Sequence, residues 1–98
     1  MAAITDADLL AKVKSALGIT GDYQNDTLTI YIGDVKEYMK AAGVNVLVLN
    51  SAASVGAICR GVADLWNYGA GDAEFSAYFR ERVTQLVYTE PEESEGGE

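Results

Sequence analysis

The stretch GVADLWNYGAGDAEFSAYFRERVTQL, residues 61–86, contains two amphipathic patterns separated by a glycine-rich break. Leading into the break, apolar residues recur at the spacing of one helix face: Val55, Ile58, Cys59, Val62, Leu65 and Trp66. Gly69 to Gly71 ends that helix, and Asp72 is a suitable N-cap for the next one. The apolar side of this next helix consists of Phe75, Phe79, Val83, Leu86 and Val87. The stretch predicts two short helices joined at a corner.

A third amphipathic pattern precedes this stretch. Its apolar residues again follow helical spacing: Leu28, Ile32, Val35, Met39 and Ala42. Asn25 or Asp26 is a suitable N-cap, and Gly43 ends the helix. Gly33 lies in the middle, where a glycine costs about 1 kcal/mol relative to alanine. We therefore expect another part of the chain to approach Gly33 closely.

A fourth helix is predicted near the start of the chain. Thr5 and Asp8 have the spacing of a helix start, Leu9, Leu10, Val13 and Leu17 follow at helical spacing, and Gly18 ends the run. The segment VNVLVLN, residues 44–50, has no partner strand elsewhere, so we interpret it as an extended connection. Asn50 or Ser51 then caps the helix that contains Trp66.

These patterns predict an all-α fold, a compact bundle of about four short amphipathic helices formed by residues 1–89. Its expected core consists of Leu28, Ile32, Val35, Met39, Ile58, Val62, Leu65, Trp66, Phe75, Phe79, Val83 and Leu86. If Trp66 ends a buried seam, replacing it with alanine should cost about 3–5 kcal/mol. Ala52, Gly56 and Ala63 form a separate face of small residues, where a helix backbone could approach closely.

Charge is concentrated at the end of the chain. Residues 90–98 contain five Glu and no Lys or Arg, so they contribute −5 to the formal net charge of −8 of the 98 residues. We expect this Pro-containing acidic segment to be a disordered tail. The seven basic residues are scattered, so no surface for DNA readout is predicted. No apolar run is long enough for a membrane span, and we expect no secretion signal, because no Lys or Arg precedes the first apolar residues.

The sequence offers little chemistry. It has no histidine and a single cysteine, Cys59, so a Cys-His pair, a zinc site and an internal disulfide are not expected. Cys59 falls on the apolar seam and is interpreted as a small buried hydrophobe in a reducing cytosol. The segments GDYQND (21–26) and GAGD (69–72) lack the spacing of a calcium loop or a phosphate loop. We expect no catalytic residue, metal or cofactor, and hence no enzyme.

Six tyrosines leave two alternatives open. Tyr31 and Tyr38 are seven residues apart beside the apolar stripe of their helix, so they either rim the core or contact neighbouring subunits. The candidate contact residues are Tyr31, Tyr38, Tyr68, Glu90, Glu92 and Glu93.

Two segments resemble the head–tail connector, or adaptor, proteins of long-tailed bacteriophages and prophages. Residues 9–43 contain Leu17 and Ile19 at the end of a helix, an acidic Gly/Asp turn, and a helix with Tyr31, Ile32, Val35 and Tyr38. Residues 58–86 are similar to connector-like proteins of Gram-positive prophages, with the run RGVADLWNYG and a later FRERVTQL. The likeness spans residues 5–88. The connection 44–54 is shorter than in some relatives.

This resemblance implies a structural subunit, made in the bacterial cytoplasm, that forms an oligomeric ring at the head–tail junction of the virion. Its partners would be other copies of itself, the portal protein, and a tail or stopper protein. DNA would pass through the channel without specific binding, and no membrane is involved. Subunits of such a ring use a heterologous interface, in which one face meets a different face of the next copy.

Two other functions stay open at this point. One is a small acidic DNA mimic that inhibits a host nucleic-acid-binding protein, although such proteins spread their acids over one folded face. The other is a helical interaction module unrelated to phage. Co-assembly with a portal ring, or capture of a host nuclease or repressor, would discriminate between them.

Overall fold

A computed structural model describes residues 3–68 and 75–91, with the side chain of Tyr68 excepted. The described residues form five α-helices and one short 3₁₀ helix and contain no strand. The elements are α1 (Asp6–Leu17), α2 (Asn25–Ala42), α3 (Val46–Leu49), a 3₁₀ helix (Ala52–Ser54), α4 (Val55–Tyr68) and α5 (Ala77–Val87). The predicted all-α fold is confirmed, with one helix more than expected.

Local capping sets the bounds of the first two helices. The Thr5 hydroxyl accepts a hydrogen bond from the Asp8 N–H at 3.0 Å, which satisfies one of the free amides at the start of α1. Gly18 and Gly43 adopt left-handed conformations with φ of 71° and 107°, and they end α1 and α2 as predicted. The predicted cap of α2 was wrong. Gln24 occupies that position without a side-chain bond, and the Asn25 amide lies 3.5 Å from the Asp22 carboxylate instead.

Residues 44–50 differ from the prediction of an extended connection. Val46–Leu49 form one helical turn, because the Asn45 side chain accepts the Leu47 N–H at 2.8 Å and starts it. A single turn satisfies its backbone locally, so it needs no partner strand. Val48 and Leu49 are buried, whereas Val46 and Leu47 are exposed. The Ser51 hydroxyl then caps the 3₁₀ helix that leads directly into α4.

The last helix begins later than the pattern of apolar residues suggested. Ser76 is its N-cap, with its hydroxyl accepting the Phe79 N–H at 3.1 Å. Phe75 therefore precedes α5, although the prediction placed it within the helix. The predicted cap Asp72 and the glycine corner at 69–71 lie outside the described residues.

One hydrophobic cluster joins all five helices. Among the twelve residues expected in the core, ten are buried, and Trp66 and Phe75 are partly buried against them. The remaining buried apolar residues are Leu9, Val13, Val44, Val48, Leu49 and Ala57. Helix α4 lies at the centre, packed against α1, α2 and α5.

Helix α4 approaches α2 and α5 closely at Gly61. A Cβ atom there would lie 2.7 Å from the Phe79 ring and 3.0 Å from the Val35 side chain, closer than side chains pack. The close neighbour expected at Gly33 is absent, since no atom of the described chain would lie within 4 Å of a Cβ at Gly33. The close approach therefore occurs on α4, at a glycine that the sequence analysis did not single out.

The N-terminal segment is held against the start of the α4 region. The Ile4 N–H donates to the Asn50 carbonyl at 2.7 Å, and Ala3 and Ser51 form an isolated antiparallel bridge. This contact places the beginning of α1 beside the end of α3.

Candidate interfaces

The surface of the described chain carries shallow grooves rather than an enclosed site. Within residues 3–68 and 75–91, no three Cys, Asp or Glu side chains are grouped to hold a metal ion. Cys59 is half-buried rather than fully buried, and it lines two neighbouring grooves. Burial raises the pKa of its thiol, and the positive charge of Lys12 partly opposes that shift. The thiol is therefore protonated at neutral pH and is a poor nucleophile.

Tyr31 and Tyr38 both pack against the core. Tyr31 meets Trp66 edge to face, with ring centroids 6.5 Å apart. Tyr38 lies 4.8 Å from the ring of Phe75 and 5.5 Å from that of Phe79. Each ring is partly buried, which is the geometry of residues at the rim of a core. Their contact with another subunit stays a prediction.

The other candidate contact residues lie at or beyond the edge of the described chain. Glu90 is exposed after the end of α5. The side chain of Tyr68, and all of Glu92 and Glu93, lie outside the described residues. The division into a domain at 1–89 and a tail at 90–98 likewise stays a prediction.

A buried carboxylate joins α4 to the start of α5. Asp64 is 6% exposed, and its side chain accepts the backbone N–H of Ser76 at 3.0 Å. Ser76 in turn caps α5 through its own hydroxyl. Asp64 is thus a positioning residue that sequence reasoning missed. The available signal was an acid set between the apolar positions Val62 and Leu65, where an unpaired carboxylate would be costly.

Several large apolar side chains are exposed in the described part of the chain. They are Tyr23, Ile30, Val46, Leu47, Tyr78 and Tyr88. The two ends of α2 carry different members of this set, Tyr23 before its start and Val46 and Leu47 after its end. Tyr88 lies near the second end, because the preceding Val87 contacts Gly43. Four of the six therefore lie near the two ends of α2, whereas Ile30 lies in the middle of that helix and Tyr78 lies on α5. Apolar groups are thus exposed at more than one place, which suits contacts with more than one surface.

A continuous depression, here called the α1–α4 groove, runs between α1 and α4. One part has a volume of about 600 Å³ and the adjoining part about 280 Å³, and Ala16 and Cys59 line both. The remaining lining residues are Ile4, Asp8, Ala11, Lys12, Ser15, Val55, Gly56, Arg60, Ala63 and Tyr78. Most of the floor is apolar or small, and Asp8 is the one acid in it.

Two cations flank this groove. The Arg60 guanidinium lies 4.9 Å from the centre of the Tyr78 ring, which holds it over the groove wall by a cation–π contact. Lys12 is close enough to Cys59 for its charge to lower the pKa of that thiol. Among the described residues, no carboxylate pairs with either cation within 4.0 Å. With Asp8 also lining the groove, its three charged residues carry a net charge of +1 beside an apolar floor.

The α2 outer face is the side of that helix opposite its buried residues. At 100° per residue, Asp26, Ile30, Asp34, Glu37 and Ala41 share this side, and all are exposed. Ile30 is 62% exposed, although it is flanked by acids on the same face. Lys40, at the edge of the face, lies 3.8 Å from Glu37. The α2 outer face is thus acidic, with one large apolar side chain in its middle.

Comparison with known proteins identifies the family of this chain. None of the helices in the described ranges combines the length and the apolar character that crossing a bilayer requires. No curated protein and no solved structure matches the chain. The family of phage gp6-like head-tail connector proteins matches it over residues 7–97. That match covers nearly the whole chain and includes both segments on which the resemblance was based, so the chain belongs to the phage gp6-like head-tail connector family.

Proposed function

We propose that this chain is a subunit of an oligomeric ring between the portal and the tail of a long-tailed phage, where it extends the DNA channel. The observation that carries the proposal is the family match over residues 7–97. The portal and a tail or stopper protein are its proposed partners, and the virion head–tail junction is its proposed location. Its role is structural, without a catalytic step.

The surface of the molecule supports this role. A ring subunit must present two different faces to its neighbours, and the described chain has unlike surfaces on different sides. The α1–α4 groove carries the cations Lys12 and Arg60, whereas the α2 outer face carries three acids. A self-complementary patch, as a two-fold dimer requires, is not needed.

The overall charge suits a conduit for DNA. The chain has a formal net charge of −8, and its seven basic residues are spread along it. An acidic channel wall repels phosphates, so DNA slides along it without being held.

Assembly on a portal ring tests this function directly. The full chain is mixed with purified portal rings, and the mixture is analysed by sedimentation and electron microscopy. We expect an added ring of density beneath the portal. Failure to join the portal, together with capture of a host nuclease or repressor from lysate, would contradict the proposal and favour a DNA mimic.

The acidic tail is proposed to dock on a basic surface of the portal. Residues 90–98 contain five Glu, and the hydrogen bonds at the end of α5 close before them. The Thr89 N–H donates to the Leu86 carbonyl at 3.1 Å, so the helix is complete without the tail. Docking of such a segment couples ordering to assembly.

Removing residues 90–98 should leave helical circular dichroism unchanged and weaken portal binding. A matched control keeps the length and replaces the five Glu with Gln, which removes only the charge. We expect this variant to bind as weakly as the truncated chain, and the weakening to shrink at high salt. Unchanged portal affinity in both variants would contradict the docking role of the tail.

A further inference from the structure

Helices α1, α2 and α4 leave two surfaces uncovered, the α1–α4 groove and the α2 outer face. Helix α2 buries Leu28, Ile32, Val35 and Met39 against the rest of the bundle, so its outer face points away from it. The α1–α4 groove is formed by two helices that pack on that buried side of α2. In one copy, therefore, the α2 outer face cannot reach the groove.

The two surfaces match in size. From Val55 to Ala63 the groove follows α4 for about 12 Å, given the helical rise of 1.5 Å per residue. From Ile30 to Glu37 the α2 outer face covers about 10 Å by the same rise. Gly56 makes room for a helix in the groove, since nothing in the described chain would lie within 4 Å of a Cβ there.

The two surfaces also match in chemistry. The groove offers Lys12 and Arg60 against a single acid, Asp8, and neither cation forms an ion pair within 4.0 Å among the described residues. The α2 outer face offers Asp26, Asp34 and Glu37. Exposed Ile30 has no apolar partner in its own neighbourhood on that face, whereas the groove has an apolar floor. A helix that lays an apolar side chain into a groove with complementary charges at its edges is a common recognition mode.

We propose that the α1–α4 groove receives the α2 outer face of a second copy of this chain, with Ile30 on the groove floor and Asp34 and Glu37 beside Lys12 and Arg60. Joining one surface to a different surface of the next copy is heterologous, so repetition generates a ring or a filament. This inference rests on the proposed function, and it names the surfaces through which the subunits of the ring meet.

Charge reversal tests the pairing. The groove variant carries Lys12→Glu and Arg60→Glu, and the face variant carries Asp34→Lys and Glu37→Lys. Each places like charges across the contact, so each should weaken self-association at least about tenfold. The variant with all four substitutions restores opposite charges and should recover association. An equimolar mixture of the two double variants should also recover association, because the groove of each variant then meets an oppositely charged α2 outer face of the other.

Matched controls change charge away from both surfaces. Arg80→Glu with Arg82→Glu has the same net change as the groove variant, and Asp22→Lys with Glu81→Lys, both exposed, has that of the face variant. Association is measured by sedimentation velocity at millimolar protein, and on portal rings. Circular dichroism checks that every variant folds. If the controls lose association as strongly as the double variants, or if the fourfold variant does not recover, the proposed contact is wrong.

A cross-link locates the contact itself. Ile30→Cys is combined with the native Cys59 and a short bifunctional thiol reagent, at alkaline pH because burial raises the pKa of Cys59. We expect a ladder of linked copies, which Cys59→Ser removes. Thr84→Cys, exposed on α5, is the control and should give no ladder.

The outcomes separate this inference from the proposed function. A chain that joins portal rings without the Ile30→Cys cross-link, and without sensitivity to the charge reversals, overturns the pairing and leaves the connector role intact. A chain that associates neither with itself at millimolar concentration nor with portal rings overturns both.

Discussion

Helix α4 contains two glycines five residues apart, and one has close neighbours whereas the other has none. At Gly61 a Cβ would lie 2.7 Å from the Phe79 ring, whereas at Gly56 it would meet nothing within 4 Å. The Gly61 side is closed by α2 and α5 and belongs to the core. The Gly56 side opens into the α1–α4 groove. One side of this helix therefore holds the fold together, and the other side stays open within the described chain.

The difference shows that small residues on a helix do not report by themselves which side is packed. Ala52, Gly56 and Ala63 were expected to admit a close helix, yet within the described chain Gly56 and Ala52 are exposed. The close approach occurs at Gly61, between the buried residues Ile58 and Leu65. Small size permits a contact, and the rest of the tertiary structure decides whether the same chain makes it.

The largest expected effect separates two adjacent residues of α5 that face these two sides. Phe79 is fully buried against the Gly61 side, so Phe79→Ala should lower the free energy of unfolding by about 3–5 kcal/mol. Tyr78 is 56% exposed beside Arg60, so Tyr78→Ala should cost less than about 1 kcal/mol. Urea denaturation measures both. Equal losses would mean that the two sides of α4 do not differ as described.

Trp66 belongs between these two cases. The expectation of 3–5 kcal/mol for Trp66→Ala assumed a fully buried ring, whereas the structure leaves Trp66 partly exposed beside Tyr31. We now expect a loss smaller than that of Phe79→Ala under the same conditions.

An intermediate effect is expected at the buried carboxylate that joins α4 to α5. Asp64→Ala leaves the Ser76 N–H without its acceptor, which should cost about 1–3 kcal/mol. Asp64→Asn keeps an acceptor oxygen and should lose less. Hydrogen exchange at the Ser76 and Phe79 amides distinguishes a local opening of the α5 start from global unfolding. A loss as small as that of an exposed substitution would show that Asp64 does not position α5.

The smallest effect has opposite signs at the two glycines. Gly61→Ala forces a methyl group against Phe79 and Val35, and after the gain in helix propensity the net loss should be about 1–2 kcal/mol. Gly56→Ala meets no neighbour and should gain up to about 1 kcal/mol. Gly33→Ala, equally open, should behave like Gly56→Ala.

A double-mutant cycle sharpens this prediction. If the clash at residue 61 involves the Phe79 ring, Gly61→Ala should cost less in a Phe79→Leu background than alone. Thermal unfolding of the four proteins gives the coupling. If the losses in stability of the two single variants add up to that of the double variant, the strain at residue 61 does not involve the Phe79 ring.

Local signals explain how much of the fold could be predicted. Thr5, Gly18 and Gly43 set helix ends through their own side chains or left-handed conformations, so residues a few positions apart contain the information. Apolar periodicity identified most of the buried residues on α2, α4 and α5 for the same reason. Residues 44–50 were predicted wrongly, because β-branched residues occur in strands and in single capped turns, and only Asn45 distinguished the two.

The candidate interfaces were harder to predict from the sequence than the helices were. The pattern of α2 placed Asp34 and Glu37 off the apolar stripe, but the groove proposed to receive them is lined by residues from α1, α4 and α5. Lys12 and Arg60 are 48 positions apart in the chain, and their arrangement on one groove depends on how α1 crosses α4. Asp64 and Ser76 likewise meet only when α5 is in place.

The sequence by itself determined that the chain is helical, where most helices end, which faces are apolar and, through its pattern, the family to which it belongs. The helical character, the helix ends and the apolar faces depend on hydrogen bonds and side-chain spacing within one helical turn. Only the tertiary structure decided which glycine is closed and which is open, and that two cations and one acid line a groove while three acids lie on the outer side of α2. Those properties depend on contacts between distant residues, because the packing of each helix determines which of its remaining sides is left for a partner.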